Sequence, residues 1–170
     1  GRNGREKLYD VPERALGHSF DPGQLDFARW ALLERVEAAG LLPLNMGPHW
    51  SMIEDVRSGL PEQLIEERLL EQVTVAGLKG RFLAPAGFLA RSYPDCDDVL
   101  RSLGPLDAVL WHRPLVQHIF GFEYIWEVYK PADQRRWGWY VCPLLHRGHF
   151  VGRLEGHVEH GQRLREQLPQ

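Results

Sequence analysis

Residues 61–84 decide the predicted fold, and they read PEQLIEERLLEQVTVAGLKGRFLA. Pro61 suits the first turn of a helix, because the N–H that proline lacks would have no intrahelical partner there. We predict a helix from Glu62 to Glu71, followed by strands over 72–76 and 81–84 that a glycine-containing turn joins into a hairpin. The helix would bury the residues that share one of its faces, which are Leu64, Ile65, Leu69 and Leu70.

Two further helices are predicted upstream of this stretch. The turn Asp21-Pro22-Gly23 precedes a helix from Gln24 to Ala39, which Gly40 ends, and a short helix follows from Trp50 to Val56. Three helices and a hairpin give the element order of a winged helix-turn-helix domain, which we place at residues 21–92. A generic three-helix domain with a hairpin satisfies the same pattern.

Beyond residue 92 the pattern becomes richer in strands. We predict a short helix from Asp97 to Leu103, a strand or turn over Ala108–Trp111, and a helix from Arg113 to Phe120 that Gly121 stops. Three aromatic or β-branched segments are predicted as strands, the last two joined by a turn at Arg147-Gly148, and these are Phe122–Tyr129, Trp139–Leu145 and Phe150–Glu155.

The predicted fold class is therefore α+β. A winged helix-turn-helix domain is followed over residues 93–160 by a small, partial antiparallel β-barrel. Residues 1–20 are expected to be an N-terminal arm or the end of a preceding winged helix, and residues 161–170 a frayed helical tail.

The composition excludes several classes of protein. Of the 170 residues, 44% are hydrophobic and 25% are charged, which is close to globular averages and excludes wholesale disorder. No apolar run reaches the roughly 18 residues that a membrane span needs, and the first residues lack the apolar segment of a signal peptide. Two cysteines, Cys96 and Cys142, are too few for a disulfide framework and favour a reducing, cytoplasmic setting.

The charge is unevenly distributed. The net charge is −3, yet residues 129–170 carry seven basic and four acidic side chains. This division predicts an acidic scaffold with a basic C-terminal face. Most of the basic residues are Arg, whose planar guanidinium group binds phosphates well. A GC-rich genome is an alternative explanation for this high proportion of Arg.

Basic and aromatic residues alternate in this C-terminal part. Cations that reach consecutive phosphates bind nucleic acid, and neighbouring aromatic rings stack on an unpaired base or wedge a base step open. The alternative is that the aromatic residues are core positions of a small barrel and the arginines are its solvated rim. The residues we predict to contact double-stranded DNA are Lys130, Arg135, Arg136, Trp137, Arg147, His149 and Arg153.

Other chemistry has little support in the sequence. The pairs His146-x-x-His149 and His157-x-x-His160 are interpreted as exposed loop histidines, because no further ligand completes a metal site with certainty. We expect no metal, no other cofactor and no catalytic residue in this chain. The predicted helix 61–71 carries four Glu against one Arg, so phosphates would repel it. We interpret this acidic helix as scaffold or as a surface for a protein partner.

Four blocks in the C-terminal half resemble the AlkZ/YcaQ-like family of winged-helix DNA glycosylases, bacterial enzymes that repair interstrand crosslinks. Their order and spacing carry the resemblance, together with a head segment from Glu6 to Leu16. The blocks are Leu110-Trp111-x-Arg113, Ile119-Phe120-Gly121-Phe122-x-Tyr124-x-Trp126-Glu127-Val128-Tyr129-x-Pro131-Ala132, Arg135-Arg136-Trp137-Gly138-x-Tyr140-Val141-x-Pro143-Leu144-Leu145 and Val151-Gly152-Arg153.

The resemblance implies a metal-independent hydrolysis of the N-glycosidic bond of alkylated purines or crosslinks, on tandem winged helices and a C-terminal barrel. It implies a catalytic Gln-x-Gln or Gln-x-Asp motif, which we expect to be absent from this chain. Two stretches outside these blocks depart from the family pattern, Leu106-Asp107-Ala108 and Leu154-Glu155-x-His157. We therefore expect the DNA-binding, C-terminal portion of such a protein, inactive by itself and lacking a first winged helix and the last barrel strands. The alternative is a non-enzymatic winged-helix module that binds DNA or protein.

Overall fold

A computed structural model describes residues 26–159, positions 2–3, 6–7, 9–10 and 14, and residues 163–166. Side chains are described for 26–156 and for Tyr9, Asp10 and Arg14. The predicted turn at Asp21-Pro22-Gly23 lies outside the described residues, as does most of the predicted arm 1–20. None of the helices in the described ranges has the length and apolar character needed to cross a membrane.

The first long element is helix α1, Phe27–Ala39. It begins three residues later than predicted because the Asp26 carboxylate caps it, accepting a hydrogen bond from the backbone N of Arg29 at 3.0 Å. Gly40 ends it as predicted, at a φ of 69° that favours glycine. The helix buries Ala31, Leu32 and Val36.

A three-stranded antiparallel sheet lies beside α1. Its strands are β3, Leu42–Pro43, β4, Leu70–Val73, and β5, Phe82–Pro85, with β5 in the centre. The predicted pair of strands is confirmed by the β4–β5 hairpin, with bounds shifted by one to three residues. Phe82 faces partners on both sides, pairing with Pro43 of β3 and Val73 of β4. A separate two-stranded antiparallel sheet is formed near the N-terminus by β1, Arg2–Asn3, and β2, Glu6–Lys7.

Between β3 and β4 the helices are shorter than predicted. Instead of the helix predicted from Trp50 to Val56, the chain forms two separate single turns, Pro48–Trp50 and Glu54–Val56. Helix α2 covers only Leu60–Glu66, so the prediction that it reaches Glu71 is wrong. Arg68 adopts a φ of 61°, which turns the chain into β4. Glu71 is therefore a strand residue, and the predicted acidic face loses it.

In the core of the first half, two buried rings share one backbone carbonyl as their hydrogen-bond acceptor. Both the His49 Nε2 and the Trp50 Nε1 donate to the carbonyl oxygen of Pro43, at 2.8 and 3.3 Å. The two rings are thereby buried with their polar atoms satisfied. The apolar residues buried around them are Ala31, Leu32, Val36, Leu42, Trp50, Ile53, Leu60, Leu64, Leu70 and Leu83.

The second half contains helix α3 and a second three-stranded sheet. Helix α3, Arg113–Phe120, and its Gly121 end match the prediction. The sheet has β7, Cys142–His146, between β6, Arg101–Ser102, and β8, His149–Leu154. The turn at Arg147-Gly148 joins β7 to β8 as predicted, with both residues at positive φ.

Three predictions for this half are wrong. No helix forms over 97–103, where Arg101 pairs with Leu145 in the sheet. The strand predicted over Phe122–Tyr129 does not form: the segment pairs with no strand, and its aromatic residues Phe122, Tyr124 and Trp126 pack into the core as side chains. The tail predicted to be helical contains strand β10, Arg163–Glu166, paired with β9, Gly156–Glu159. The described strands form small open sheets and no closed barrel.

The two halves touch each other at several points. Trp111 packs against the first core, and the His112 ring meets the Phe82 ring edge-on at a centroid distance of 5.5 Å. His118 of α3 binds the carbonyl oxygen of Ala76 in the β4–β5 hairpin at 2.8 Å. These contacts fix the second half against the sheet of the first.

We expect the substitution Trp50→Ala to lower the free energy of unfolding by about 3–5 kcal/mol, because it empties a fully buried site. Chemical denaturation followed by circular dichroism measures this change. The matched control is Trp30→Ala on α1, where the side chain is 46% exposed. A loss for Trp50→Ala no larger than that for Trp30→Ala would contradict the description of this core.

Candidate nucleic-acid interface

The structure divides the seven predicted contact residues into two groups. Arg147 and His149 lie at the β7–β8 turn. Arg153 lies four residues along β8, about 13 Å away at the usual rise of a strand. It is joined there by the loop that follows α3, and together they form what we call the loop cluster, Lys130, Arg135, Arg136, Trp137 and Arg153.

Arg153 organises the loop cluster by stacking. Its guanidinium carbon lies 4.2 Å from the ring centroid of Phe122 and 4.3 Å from that of Trp137. A terminal nitrogen of the same group donates to the backbone carbonyl of Glu123. Burial lowers the pKa of Arg153, and the nearby Arg136 lowers it further. Arg153 is therefore a partly buried cation held by two aromatic rings.

Trp137 is less available than the sequence suggested. Its ring lies against Arg153 and also 4.6 Å from the guanidinium carbon of Arg136. The residue is half-buried. Two cations already stack on this indole, so Trp137 positions arginines instead of offering a free ring to a base.

Glu127 anchors the loop from inside the protein. Its carboxylate is buried, accepting hydrogen bonds from Lys130 Nζ at 2.7 Å and from the backbone N of Trp137 at 2.8 Å. Burial alone raises the pKa of Glu127, but these bonds, and one from the backbone N of Arg136, outweigh it and lower the pKa to about 2. The carboxylate is thus ionised and fixes both ends of the loop.

Glu155 holds the next residues of the same loop. Its Oε1 accepts from the backbone N of Trp139 and of Tyr140, at 2.6 and 2.9 Å. The carboxylate lies so close to Gly138 that a Cβ there would come within 2.1 Å of it. Gly138 also has a φ of 145°, so this position requires glycine.

Carboxylates compensate most of the predicted cations. Lys130 pairs with Glu127, and Arg136 pairs with Glu123 at 3.1 Å. Arg135 differs, because its Nε donates to the backbone carbonyl of Lys130 at 2.9 Å and it forms no ion pair within the described part of the chain. The positive excess of the C-terminal segment is therefore partly neutralised by acidic residues that precede it in sequence.

At the β7–β8 turn, the charge of Arg147 is also compensated by a carboxylate. Asp98 Oδ1 lies 2.8 Å from Arg147 Nε and 2.8 Å from His146 Nε2. His149 faces His146 across the hairpin and is exposed. Over the residues whose placement is described, no group of three or more His, Cys, Asp or Glu side chains is arranged to hold a metal ion. The side chains of His157 and His160 lie outside the described residues.

Sequence reasoning missed two features of this region. It did not single out the acidic partners Glu123, Glu127, Glu155 and Asp98, which lie among or before the basic residues. It named Trp137 as the site aromatic, whereas Tyr129, Trp139 and Tyr140 are the exposed rings. The order of aromatic residues carried no signal to distinguish them, since exposure depends on how the loop folds back.

The expectation that this chain lacks a Gln-x-Asp motif is wrong. Gln24-Leu25-Asp26 has that spacing. Asp26 is an exposed residue that caps α1 through the backbone N of Arg29. Gln24 lies outside the described residues. The carboxylate of Asp26 thus has a structural role at a helix start.

We expect Glu127→Gln to destabilise the protein at pH 7 by about 1–3 kcal/mol, because the neutral amide replaces a buried charged acceptor. The folded pKa near 2 lies below the ordinary value of 4.5, so ionised Glu127 contributes stability above about pH 4.5 that is lost toward pH 2. The variant should therefore lose less stability than the natural protein over this range. Urea denaturation at several pH values measures this, with Glu66→Gln on exposed α2 as control.

A family model described as DNA glycosylase AlkZ-like matches residues 1–167. No solved structure matches the chain. Because the family match covers almost the whole sequence, including both halves and the loop cluster, the chain belongs to the AlkZ-like DNA glycosylase family.

Proposed function

We propose that this chain is the DNA-binding part of a glycosylase-like repair protein that holds double-stranded DNA by its phosphate backbone. The observation that carries the proposal is the loop cluster in a chain of the AlkZ-like family. Arg136 and Arg153 stack on Trp137, and Arg153 stacks on Phe122 as well, while Lys130 and Arg135 are held within the same loop. Phosphate contacts of this kind position a protein without reading sequence. The damaged substrate would be an alkylated purine or an interstrand crosslink.

The order of elements in the first half supports a winged-helix unit. Helix α1, strand β3, the two turns, helix α2 and the β4–β5 hairpin follow in the expected order, and β5 lies between β3 and β4. In this arrangement α2 occupies the position of a recognition helix. It exposes Glu62 and Glu66, which phosphates would repel. We therefore assign DNA contact to the loop cluster and not to α2.

Arg135 is the residue best placed for a phosphate. Its charge is not neutralised by a carboxylate among the described side chains, and its Nε is fixed on the carbonyl of Lys130. Arg136 is exposed and its bond to Glu123 is a surface ion pair, which contributes little and exchanges readily with a phosphate. Lys130 is bound to buried Glu127 and serves first to hold the loop.

We expect Arg135→Ala/Arg136→Ala to weaken binding to a plain duplex and to make it less dependent on salt. Each lost phosphate contact reduces the slope of log affinity against log salt by about 0.9. Fluorescence anisotropy at several salt concentrations measures both quantities.

The matched control for this experiment is Arg29→Ala/Arg91→Ala. It removes two ion-paired arginines from the α1 side, where Arg29 pairs with Glu67 and Arg91 with Glu37. Equal losses for the two double variants would mean that binding depends only on net charge. Absence of duplex binding at low salt would overturn the proposal and favour a protein-binding role for the exposed acidic side of α2.

Catalysis by this chain alone is a separate question with its own experiment. An alkylated purine that carries a positive charge leaves readily, but water attack still needs a positioned carboxylate or amide. We expect no release of 7-methylguanine from a duplex above the uncatalysed rate, because Asp26 is engaged as a helix cap. Release that disappears in Gln24→Ala and in Asp26→Asn would contradict this and assign the reaction to that pair.

A further inference from the structure

We propose that four aromatic rings beside the loop cluster form a stacking surface for an unpaired nucleobase. DNA with an unpaired or displaced base would then bind more tightly than a fully paired duplex. This inference rests on the proposed function, since it assumes that the neighbouring cations hold DNA. It identifies a second contact, of a different chemical kind, for the same ligand. We call these rings the aromatic cluster, Trp126, Tyr129, Trp139 and Tyr140.

The four rings form one continuous set. The Trp126 ring lies at its centre, 5.8 Å from the ring of Tyr129 and 6.1 Å from that of Tyr140, in both cases edge to face. The Trp139 ring continues the set, 6.1 Å from Tyr140. These separations are within the range of favourable aromatic pairs, so the rings support one another in fixed positions.

The outer rings of the cluster face solvent. Tyr129 is 88% exposed, Trp139 53% and Tyr140 45%. Contiguous exposed aromatic surface of this kind marks a binding site more often than a scattered exposed residue does. Trp137, by contrast, is covered by two guanidinium groups, so the free ring faces belong to the aromatic cluster.

The backbone of the aromatic cluster is fixed before any ligand binds. Glu155 accepts the backbone N–H groups of Trp139 and Tyr140. Glu127 binds Lys130, the residue after Tyr129. Little ordering of the main chain is then needed on binding, which favours affinity.

Many ligands stack on aromatic rings, and the positive charge beside the aromatic cluster favours a nucleotide strand among them. Lys130 follows Tyr129 directly, and Arg135 is held on the Lys130 carbonyl without a carboxylate partner in the described ranges. A base carries its phosphates to either side, so cations at the edge of a stacking surface match a nucleotide strand. The central Trp126 Nε1 is buried and makes no hydrogen bond within the described residues. It therefore offers no contact to base edges, and we expect no preference for one base.

The experiment compares two short probes of the same length. One is a fully paired duplex, and the other carries a loop of unpaired thymidines at the centre of one strand. We expect the natural chain to bind the looped probe at least about fivefold more tightly, the lower limit for stacking of one base. Tyr129→Ala/Trp139→Ala should lose this preference while binding the paired duplex as before.

Controls separate stacking from general damage. Trp30→Ala/Tyr93→Ala removes the same two residue types at exposed sites elsewhere and should keep the preference. Tyr129→Phe preserves the ring and should keep it as well. Thermal unfolding of each variant shows that the fold is intact.

The outcomes distinguish this inference from the proposed function. Equal binding of both probes by the natural chain, or a preference that survives in Tyr129→Ala/Trp139→Ala, overturns the stacking surface and leaves duplex binding in place. Failure of both probes to bind overturns the proposed function and this inference together. A preference lost only in Tyr129→Ala/Trp139→Ala supports both.

Discussion

The buried carboxylate of Glu127 is the constraint on which the candidate interface depends. It accepts one side-chain and two backbone hydrogen bonds from a loop in which a single helical turn, Ala132–Gln134, is the one regular element between Lys130 and Trp137. An ionised carboxylate that is removed from water must find such donors, and here the donors come from residues 130–137. The positions of Lys130, Arg136 and Trp137 follow from this requirement.

A second set of contacts ties this loop to the sheet. Arg153 of β8 lies between the rings of Phe122 and Trp137, and Glu155, the residue directly after β8, binds the backbone of Trp139 and Tyr140. Both anchors therefore lie at the C-terminal end of strand β8. An irregular segment gains a defined shape because charged groups on a rigid strand bind it, which is a common way to build a binding surface.

The charge distribution has a different meaning in the structure than along the chain. Along the chain the cations form a C-terminal excess. In the structure Arg136 pairs with Glu123, Lys130 with Glu127 and Arg147 with Asp98. The surface is therefore a mixture of ion-paired and unpaired cations. Paired surface arginines still exchange partners with phosphates. This pairing lowers the electrostatic attraction expected between this surface and a phosphate backbone. Affinity then depends more on where the individual cations are held.

The sequence by itself determined the elements whose signals are local. Gly40 and Gly121 marked helix ends, Arg147-Gly148 marked a tight turn, and the β4–β5 hairpin was predictable because these features depend on backbone preferences of neighbouring residues. The family was also recognisable from ordered motifs. Only the tertiary structure decided that residues 122–129 form no strand, that α2 stops at Glu66, and which aromatic rings are exposed. These depend on partners distant in sequence, such as Glu155 for Trp139 and Arg153 for Trp137, and no local pattern encodes them.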